Sequence, residues 1–394
     1  MNRHRLPRIR VSGDPYERGH QYGAQAERRI RRCVAVYERI FESYAGWDWK
    51  DVTDHAQTYA PAIESYQEHL LEEIEGIADG AGLAPNDVLA LNVRTEVMFA
   101  AVARKVACEC TAIAALPEAT ASGHTLVAQN WDWKPEAGDT LVVLEARPRT
   151  SPAFVTVVEA GLLAKTGLNS AGIGLVTNAL ISDQDRGEPG VPYHVILRAI
   201  LESERVSQAL SAIVRHRRAS SANYLIAHRD GEAVNVEAAP GDYAYAFIDF
   251  PQRGLYSHTN HFLSPRFDLK DVGVWDGPDS LLRLRRVQRL LEARRGALDV
   301  DALREVLSDH FSFPDSVCCH PDPDSRPVDQ YATLFSIIMD LENTSIWLAA
   351  GNPCQSPYEP LETLLSESAR QAARGRERGW KAPDPHGMSD QTAP

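Results

Sequence analysis

The sequence predicts an α+β protein in which antiparallel sheets are covered by helices. Residues 14–107 place apolar side chains at steps of three and four, the spacing of amphipathic helices. From Cys108 to about residue 261 the chain carries short apolar and β-branched runs bounded by turn residues, interrupted by one helical pattern. Helices and strands grouped in blocks favour an α+β arrangement over an alternating, doubly wound one.

The helical third has recognisable start and stop signals. Pro15 directly after Asp14 predicts the start of a first helix, and the run PAIESYQEHLLEEIEGIADGAG predicts a second that ends at glycines. Asn86 or Asp87 is a candidate cap for a third. The middle of the chain reads as strands, and Asp230-Gly231 predicts a hairpin turn between two of them. Further helices are predicted at DSLLRLRRVQRLLEARRG and DVDALREVLSDH, followed by strands at ATLFSIIMDLEN and TSIWLAAG.

Composition narrows the class of protein. Hydrophobic residues make up 44% of the chain and charged residues 24%, which are ordinary globular values. The net charge of −13 argues against a nucleic-acid partner. No apolar run reaches the roughly eighteen residues of a membrane span, and the N-terminus lacks the apolar core of a signal peptide. We therefore expect a cytoplasmic protein without membrane contact, whose six cysteines stay reduced.

Cys110 stands where the helical third gives way to the β-rich remainder. Cysteine is small and often buried, so simple packing is one explanation for Cys108 and Cys110. The alternative is that the chain is cut between Glu109 and Cys110. Cys110 would then carry both a thiol and an α-amine with a pKa near ~8, which is able to act as its base.

A nucleophile of this kind needs partners, and four residues are candidates. Asp132 follows a strand-like run and would hold the amine, although an aspartate there is often only a turn former. Asn178 and Asn260 end apolar or aromatic runs and would donate to an oxyanion, a contribution of about 3–4 kcal/mol per donor, unless they only cap turns. Arg283 would balance negative charge, although most arginines on amphipathic helices are solvated.

Common catalytic and metal motifs are missing from the sequence. There is no G-x-S-x-G, H-E-x-x-H or Walker A pattern. A zinc site formed by Cys108, Cys110, Cys319 and His320 remains an alternative, but the two halves lack the usual C-x₂₋₄-C spacing. We predict neither a cofactor nor a metal site.

The motifs together resemble the peptidase C45 family of N-terminal nucleophile (Ntn) enzymes, which includes acyl-CoA:6-aminopenicillanic acid acyltransferases. The likeness runs from GDPYERGHQYG and EIEGIADGAGL through CTAIAA, GHTLVAQNWDW, GLNSAGIGLVTN and SHTNHF to FSIIMDLENTSIWLAAGNPC. Two departures stand out: Glu109 occupies a position where other members often have glycine, and the stretch from Cys110 to Asp132 is somewhat long.

The resemblance implies an αββα sandwich made as a self-cleaving precursor. It makes Cys110 the nucleophile, Asp132 the aspartate near its amine and Asn260 an oxyanion donor, with Asn178 and Arg283 placed more loosely. It divides the chain into a helical segment 1–109, a catalytic core 110–367 and a tail 368–394 that the composition predicts to be disordered. The two products of cleavage would remain partners of one another, and a homo-oligomer is left open.

We accordingly expect an amidohydrolase that cleaves an N-acylated small molecule through an acyl-cysteine thioester. The alternative within enzymes is an N-acyltransferase that uses acyl-CoA or an acyl amide. A non-catalytic, unprocessed binding protein of the same fold is the alternative from another class. The aromatic residues Tyr37, Phe41, Tyr44 and Phe99 of the helical segment are candidates for the substrate pocket, although core packing is the favoured role for most of them.

Overall fold

The structure, a computed structural model, describes residues 5–102, 109–266 and 268–367. Cys108 and the tail 368–394, on which two expectations fall, lie outside the described residues. Within these ranges the helices are α1 (Pro15–Ala45), α2 (Trp49–Ala56), α3 (Ala60–Ala81), α4 (Pro85–Asn92), α5 (Arg94–Ala101), α6 (Tyr193–Leu201), α7 (Val206–Val214), α8 (Gly273–Asp276), α9 (Asp279–Glu292) and α10 (Val300–Leu307).

The strands form two sheets. They are β1 (Arg8–Gly13), β2 (Glu109–Ala115), β3 (Leu126–Trp133), β4 (Leu141–Pro148), β5 (Phe154–Glu159), β6 (Thr166–Asn169), β7 (Ile173–Ala179), β8 (Ala222–His228), β9 (Glu232–Ala238), β10 (Ala246–Asp249), β11 (Leu255–His258), β12 (Ala332–Asp340), β13 (Ser345–Ala350) and β14 (Glu359–Leu361). One sheet has the order β1-β4-β5-β6-β7-β8-β9-β10 and the other β11-β2-β3-β12-β13-β14. All pairs are antiparallel except β1 with β4.

The two sheets face each other and helices cover their outer surfaces. β2 and β3 pack against β7, while α6 and α7 contact the eight-stranded sheet and α9 and α10 contact the six-stranded one. Alternation along β2 places Ala112 and Ala114 in the large core between the sheets, and Ile113 and Ala115 in a second core under α9 and α10. This arrangement is the predicted αββα sandwich, and it puts Cys110 at the edge of the space between the sheets.

Helices α1 and α3 pack unusually closely, and glycines permit the approach. A Cβ atom on Gly19 of α1 would lie 2.2 Å from the carbonyl oxygen of Glu73, and one on Gly76 of α3 would lie 2.3 Å from that of Tyr16. The two glycine-containing stretches GDPYERGHQYG and EIEGIADGAGL therefore meet face to face. Any larger residue at these positions would force the helices apart.

Several boundaries differ from the sequence predictions. The N-terminal segment is not wholly helical, because Ile9 and Val11 alternate with arginines and form β1 beside β4. The one helical pattern that interrupts the predicted strands, residues 193–216, forms two helices, because the first ends at Leu201 and the second begins at Val206. Helix α4 begins at Pro85, so Asp87 lies within its first turn and accepts a hydrogen bond from the Ala84 N–H (3.0 Å). The hairpin at Asp230-Gly231 is confirmed by the pairing of β8 with β9.

None of the helices in the described ranges combines the length and apolar character needed to cross a bilayer.

Candidate active site

Cys110 is the second residue of β2 and is almost fully buried, with 3% of its surface exposed. It pairs with Trp131 on the neighbouring strand β3. The buried ends of β7 and β11 and the start of α9 surround it. Asn178 of β7, Asn260 just after β11 and Arg283 of α9 reach Cys110, so the fold brings together positions separated by up to 173 residues.

Three of the predicted side chains contact the Cys110 backbone directly. The Cys110 N–H donates to Oδ1 of Asn260 at 2.7 Å. The Cys110 carbonyl accepts hydrogen bonds from Nδ2 of Asn178 at 3.2 Å and from Nη1 of Arg283 at 2.9 Å. Side chains therefore hold the N–H of the candidate scissile peptide and the carbonyl of the peptide that follows it.

The two asparagines are themselves oriented by hydrogen bonds. Nδ2 of Asn223 donates to Oδ1 of Asn178 at 3.1 Å, across the β7–β8 pair. The Asn260 N–H donates to Oγ of Ser280 at 2.8 Å, and its Nδ2 donates to the Ala179 carbonyl at 3.1 Å. In the uncut chain the amide donors predicted to serve an oxyanion thus point at backbone carbonyl oxygens.

Arg283 is a buried cation at the centre of this group. Its Nε donates to Asp279 one turn earlier on α9 at 2.7 Å, and its Nη2 donates to Oδ1 of Asn260 at 3.2 Å. Only 2% of the residue is exposed, so its charge acts through a medium of low polarity. The bland expectation that this arginine is a solvated helix residue is therefore wrong.

Asp132 is buried on β3, opposite Glu109 rather than opposite Cys110. Its Oδ1 accepts a hydrogen bond of 2.5 Å from Oγ1 of Thr333 on β12, and its Oδ2 has no hydrogen-bond partner among the described residues. Burial raises the pKa of Asp132 to about 6, although the positive charge of Arg283 lowers it. A carboxylate in this state is a candidate acceptor for a nearby proton or ammonium group.

Four supporting residues were not singled out in the sequence. Asn223, Asp279, Ser280 and Thr333 each hold a predicted site residue in place. Only Asp279 had a readable signal, because it lies four residues before Arg283 on one helix face. The others come from distant strands and helices, and their contacts depend on tertiary structure.

A cavity of about 30 Å³ lies beside the site and has a largely apolar lining. Ala179, whose carbonyl binds Asn260, forms part of its wall together with Trp133 and Ile181. Across the cavity stand Tyr37 of α1 and Phe99 of α5, two of the aromatic residues predicted for a pocket. The helical segment and the sheet core therefore share this wall.

The other two predicted aromatic residues lie elsewhere. Phe41 is fully buried in the main core, and the Tyr44 hydroxyl donates to the Val328 carbonyl at 2.8 Å. A larger open cleft of about 920 Å³ lies between α3 and α7, but none of the site residues lines it.

The alternative zinc set is not formed. In the described part of the chain, no cluster of metal-ligating side chains includes Cys110 or Cys319, and Cys108 lies outside that part. His320 instead belongs to a different group with Cys318.

Comparison with known proteins shows which family the sequence matches. The family model for acyl-coenzyme A:6-aminopenicillanic acid acyl-transferase matches residues 119–355. The chain is 26% identical over 369 residues to the 40 kDa form of acyl-coenzyme A:6-aminopenicillanic-acid-acyltransferase of Emericella nidulans, covering 92% of this chain and 99% of that relative.

Similar solved structures include the conjugated bile acid hydrolase of Clostridium perfringens, with 13% identity and a TM-score of 0.44 over 65% of this chain and 98% of that one. The penicillin V acylase of Agrobacterium tumefaciens shows 13% identity and a TM-score of 0.38 over 66% and 89%.

The chain is an enzyme related to acyltransferases. More particularly, it belongs to the acyl-coenzyme A:6-aminopenicillanic acid acyl-transferase family, as the resemblance to peptidase C45 predicted.

Proposed function

We propose that the chain cleaves itself between Glu109 and Cys110 and then hydrolyses the amide bond of an N-acylated small molecule through a Cys110 thioester. The observation that supports this most directly is the convergence of Asn178, Asn260 and Arg283 on the backbone of Cys110. Ordinary strand residues find their partners in the sheet ladder, whereas the N–H and C=O of Cys110 are held by buried polar side chains from three other parts of the chain.

The self-cleavage step is an acyl shift followed by hydrolysis. The Cys110 Sγ attacks the Glu109 carbonyl carbon, the C–N bond breaks, and the amide nitrogen takes up a proton to become the α-amine. Water then hydrolyses the resulting thioester, leaving Glu109 with a carboxylate and Cys110 with a free thiol. The acceptor that now binds the Cys110 N–H, Oδ1 of Asn260, is placed to bind that amine afterwards.

The catalytic cycle repeats this chemistry on an external amide. The α-amine of Cys110 takes the thiol proton, Sγ attacks the acyl carbon, and the proton passes to the departing amine. Water hydrolyses the thioester and restores the thiol. We assign oxyanion stabilisation to the side-chain amides of Asn178 and Asn260, which would have to exchange their present carbonyl partners for the substrate. We assign the buried carboxylate of Asp132 to holding the ammonium form of the amine.

The wall of the adjacent cavity indicates which acyl group the enzyme prefers. Tyr37, Phe99, Trp133 and Ile181 present mainly carbon surface, which favours an apolar acyl group. Arg94 also lines this cavity, but its charge is paired with Glu159 at 2.6 Å. The cavity itself has room for little more than a water molecule or two in the uncut chain. We therefore place the processed chain, rather than the precursor, on the catalytic pathway.

Acyl transfer is the second candidate function, because the family model and the Emericella nidulans relative both carry the name of an acyl-coenzyme A transferase. An amine acceptor would then replace water at the thioester, and acyl-CoA would be the donor. One assay separates the two functions. The processed enzyme is mixed with a chromogenic N-acyl amide or an acyl-CoA, with and without an added amine, and acid and new amide are quantified.

A burst of leaving group equal to about one equivalent of enzyme, with the acyl mass recovered on the peptide that begins at Cys110, is the expected result. Turnover without any acylated Cys110 peptide would contradict the proposal. Cys33→Ala, a change at a buried cysteine of α1, is the matched control and should keep the burst.

A further inference from the structure

A second cluster of reactive side chains lies apart from the Cys110 site. His310 and Cys318 stand in the loop after α10, His320 follows two residues later, and Cys354 comes from the segment after β13. The four potential ligand atoms, two ring nitrogens and two sulfurs, all lie within 4.8 Å of one another.

Three of the distances between the ligand atoms fall in the range expected around one zinc ion, and the distance between the two histidine nitrogens is slightly shorter. Sγ of Cys318 lies 3.5 Å from Sγ of Cys354 and 3.5 Å from Nε2 of His320. Sγ of Cys354 lies 3.4 Å from the same Nε2, and Nε2 of His310 lies 3.1 Å from it. A tetrahedral Zn²⁺ with Zn–S of about 2.3 Å and Zn–N of about 2.0–2.1 Å separates its ligand atoms by roughly 3.3–3.8 Å.

The surroundings hold one thiol in position for a ligand role. Nδ2 of Asn352 points at Sγ of Cys318 from 3.6 Å, as donors do around metal-bound thiolates. The Cys318 N–H donates to the Asp309 carbonyl at 3.0 Å, and Oγ of Ser316 donates to the Cys318 carbonyl at 2.7 Å. Cys318 is buried while Cys354 is exposed, so the cluster has a path to solvent.

We propose that His310, Cys318, His320 and Cys354 bind one Zn²⁺. Two thiolates and two imidazoles in a tetrahedral array select zinc over the harder divalent ions, which prefer oxygen ligands. Four protein ligands leave no open position, which assigns the ion a structural role. It would clamp the loop after α10 to the segment after β13.

The clamp reaches the proposed catalytic centre through two hydrogen-bonded contacts. The Cys319 N–H, next to the ligand Cys318, donates to Oγ1 of Thr333 at 3.0 Å, and the Thr333 N–H donates to the Cys319 carbonyl at 3.0 Å. Oγ1 of Thr333 donates in turn to Asp132. Loss of the ion should therefore loosen the strand position that holds Asp132.

The test is the metal content of the full chain, produced without a polyhistidine tag and passed through chelator-treated reducing buffer. Elemental mass spectrometry should find about one zinc per chain. Cys318→Ser and Cys354→Ser should each reduce the content at least five-fold, whereas Cys319→Ser, the adjacent cysteine outside the cluster, should keep it. Cobalt substitution should give intense visible d–d bands and thiolate charge-transfer absorption, which mark tetrahedral sulfur ligation.

His310→Ala provides a second variant, since this exposed ligand can be removed without opening the core. It should weaken zinc retention during dialysis against a chelator while circular dichroism stays unchanged. A reduced wild-type chain without stoichiometric zinc would overturn the proposal. So would a Cys318→Ser/Cys354→Ser double variant that keeps its zinc, or a native Cys318–Cys354 disulfide in a zinc-free chain.

Discussion

The amide N–H of Cys110 donates a 2.7 Å hydrogen bond to Oδ1 of Asn260, and the same oxygen accepts a second hydrogen bond from Arg283. Asn260 thus bridges the nitrogen of the candidate scissile bond and the buried cation of the site. Ser280 fixes the asparagine from the other side.

Asn260→Ala should slow both self-cleavage and turnover by about 100-fold or more, because it removes the acceptor for the amine and a candidate oxyanion donor together. Gel electrophoresis of the precursor over time and initial rates of the processed enzyme measure the two effects. Asn86→Ala on α4 is the control. A variant that processes at the wild-type rate would show that the bridge has no role in cleavage.

Arg283→Met should move the pH dependence of activity to higher pH. The guanidinium lowers the pKa of Asp132, so its removal should raise that pKa above about 6 and keep the carboxyl protonated at higher pH. The measurement is the turnover rate of the processed enzyme against pH, because Asp132 is assigned to the ammonium group of that form, and Arg283→Lys should shift the profile less. Arg285→Met, at an exposed position of the same helix, should leave the profile in place. An unshifted profile in Arg283→Met would show that the protonation of Asp132 does not control the rate.

Asp132→Asn should change stability in a pH-dependent way. The folded pKa of about 6 exceeds the unfolded value near ~3.9, so this carboxyl group favours the folded state below about pH 4 and that advantage is lost as the pH rises to about 6. The difference in unfolding free energy, variant minus parent, should therefore be about 2 kcal/mol larger at pH 7.5 than at pH 4.5.

Urea unfolding of Cys110→Ala with and without Asp132→Asn measures this difference in an uncleaved chain. The exposed Asp301→Asn should alter the two free energies equally, within about 0.5 kcal/mol. The opposite sign, with the asparagine chain relatively less stable at pH 7.5, would contradict the burial argument for Asp132.

The two products of cleavage should stay together. Two residues of the first fragment bind buried residues of the second. Glu73 of α3 accepts a 2.6 Å hydrogen bond from Nη2 of Arg198. Asn92 of α4 donates to the Gly161 carbonyl and accepts from the Leu163 N–H. Strand β1 of the first fragment also pairs with β4 of the second. The fragments should co-elute in gel filtration in native buffer and separate only in denaturant. Separation in native buffer would refute the view that they form one core.

Much of the site was readable from sequence because its residues sit at strand and helix positions with their own signals. Cys110, Asn178 and Arg283 fall at element ends or faces that the apolar patterns located, and the family resemblance joined them. The contacts themselves could not be predicted from the sequence. Asn260 was expected to donate through its amide nitrogen to an oxyanion. In the uncut chain that nitrogen donates to the Ala179 carbonyl, and its amide oxygen accepts the Cys110 N–H.

The fold was predicted to the level of layers but not of every strand. Short elements such as β6 and β14 have few residues and gain stability from neighbouring strands rather than from their own pattern. The cluster of His310, Cys318, His320 and Cys354 was not predicted for a similar reason. Cys354 is 34 residues from His320, and only the β12–β13 hairpin brings the two together.

The most direct test of the central claim is intact mass with N-terminal sequencing of the wild-type chain and of Cys110→Ala. Two fragments, the second beginning at Cys110, are expected in the wild type and a single uncut chain in the variant. A wild-type chain that remains intact while catalysing amide hydrolysis, or a Cys110→Ala chain that is cut at the same bond, would contradict it.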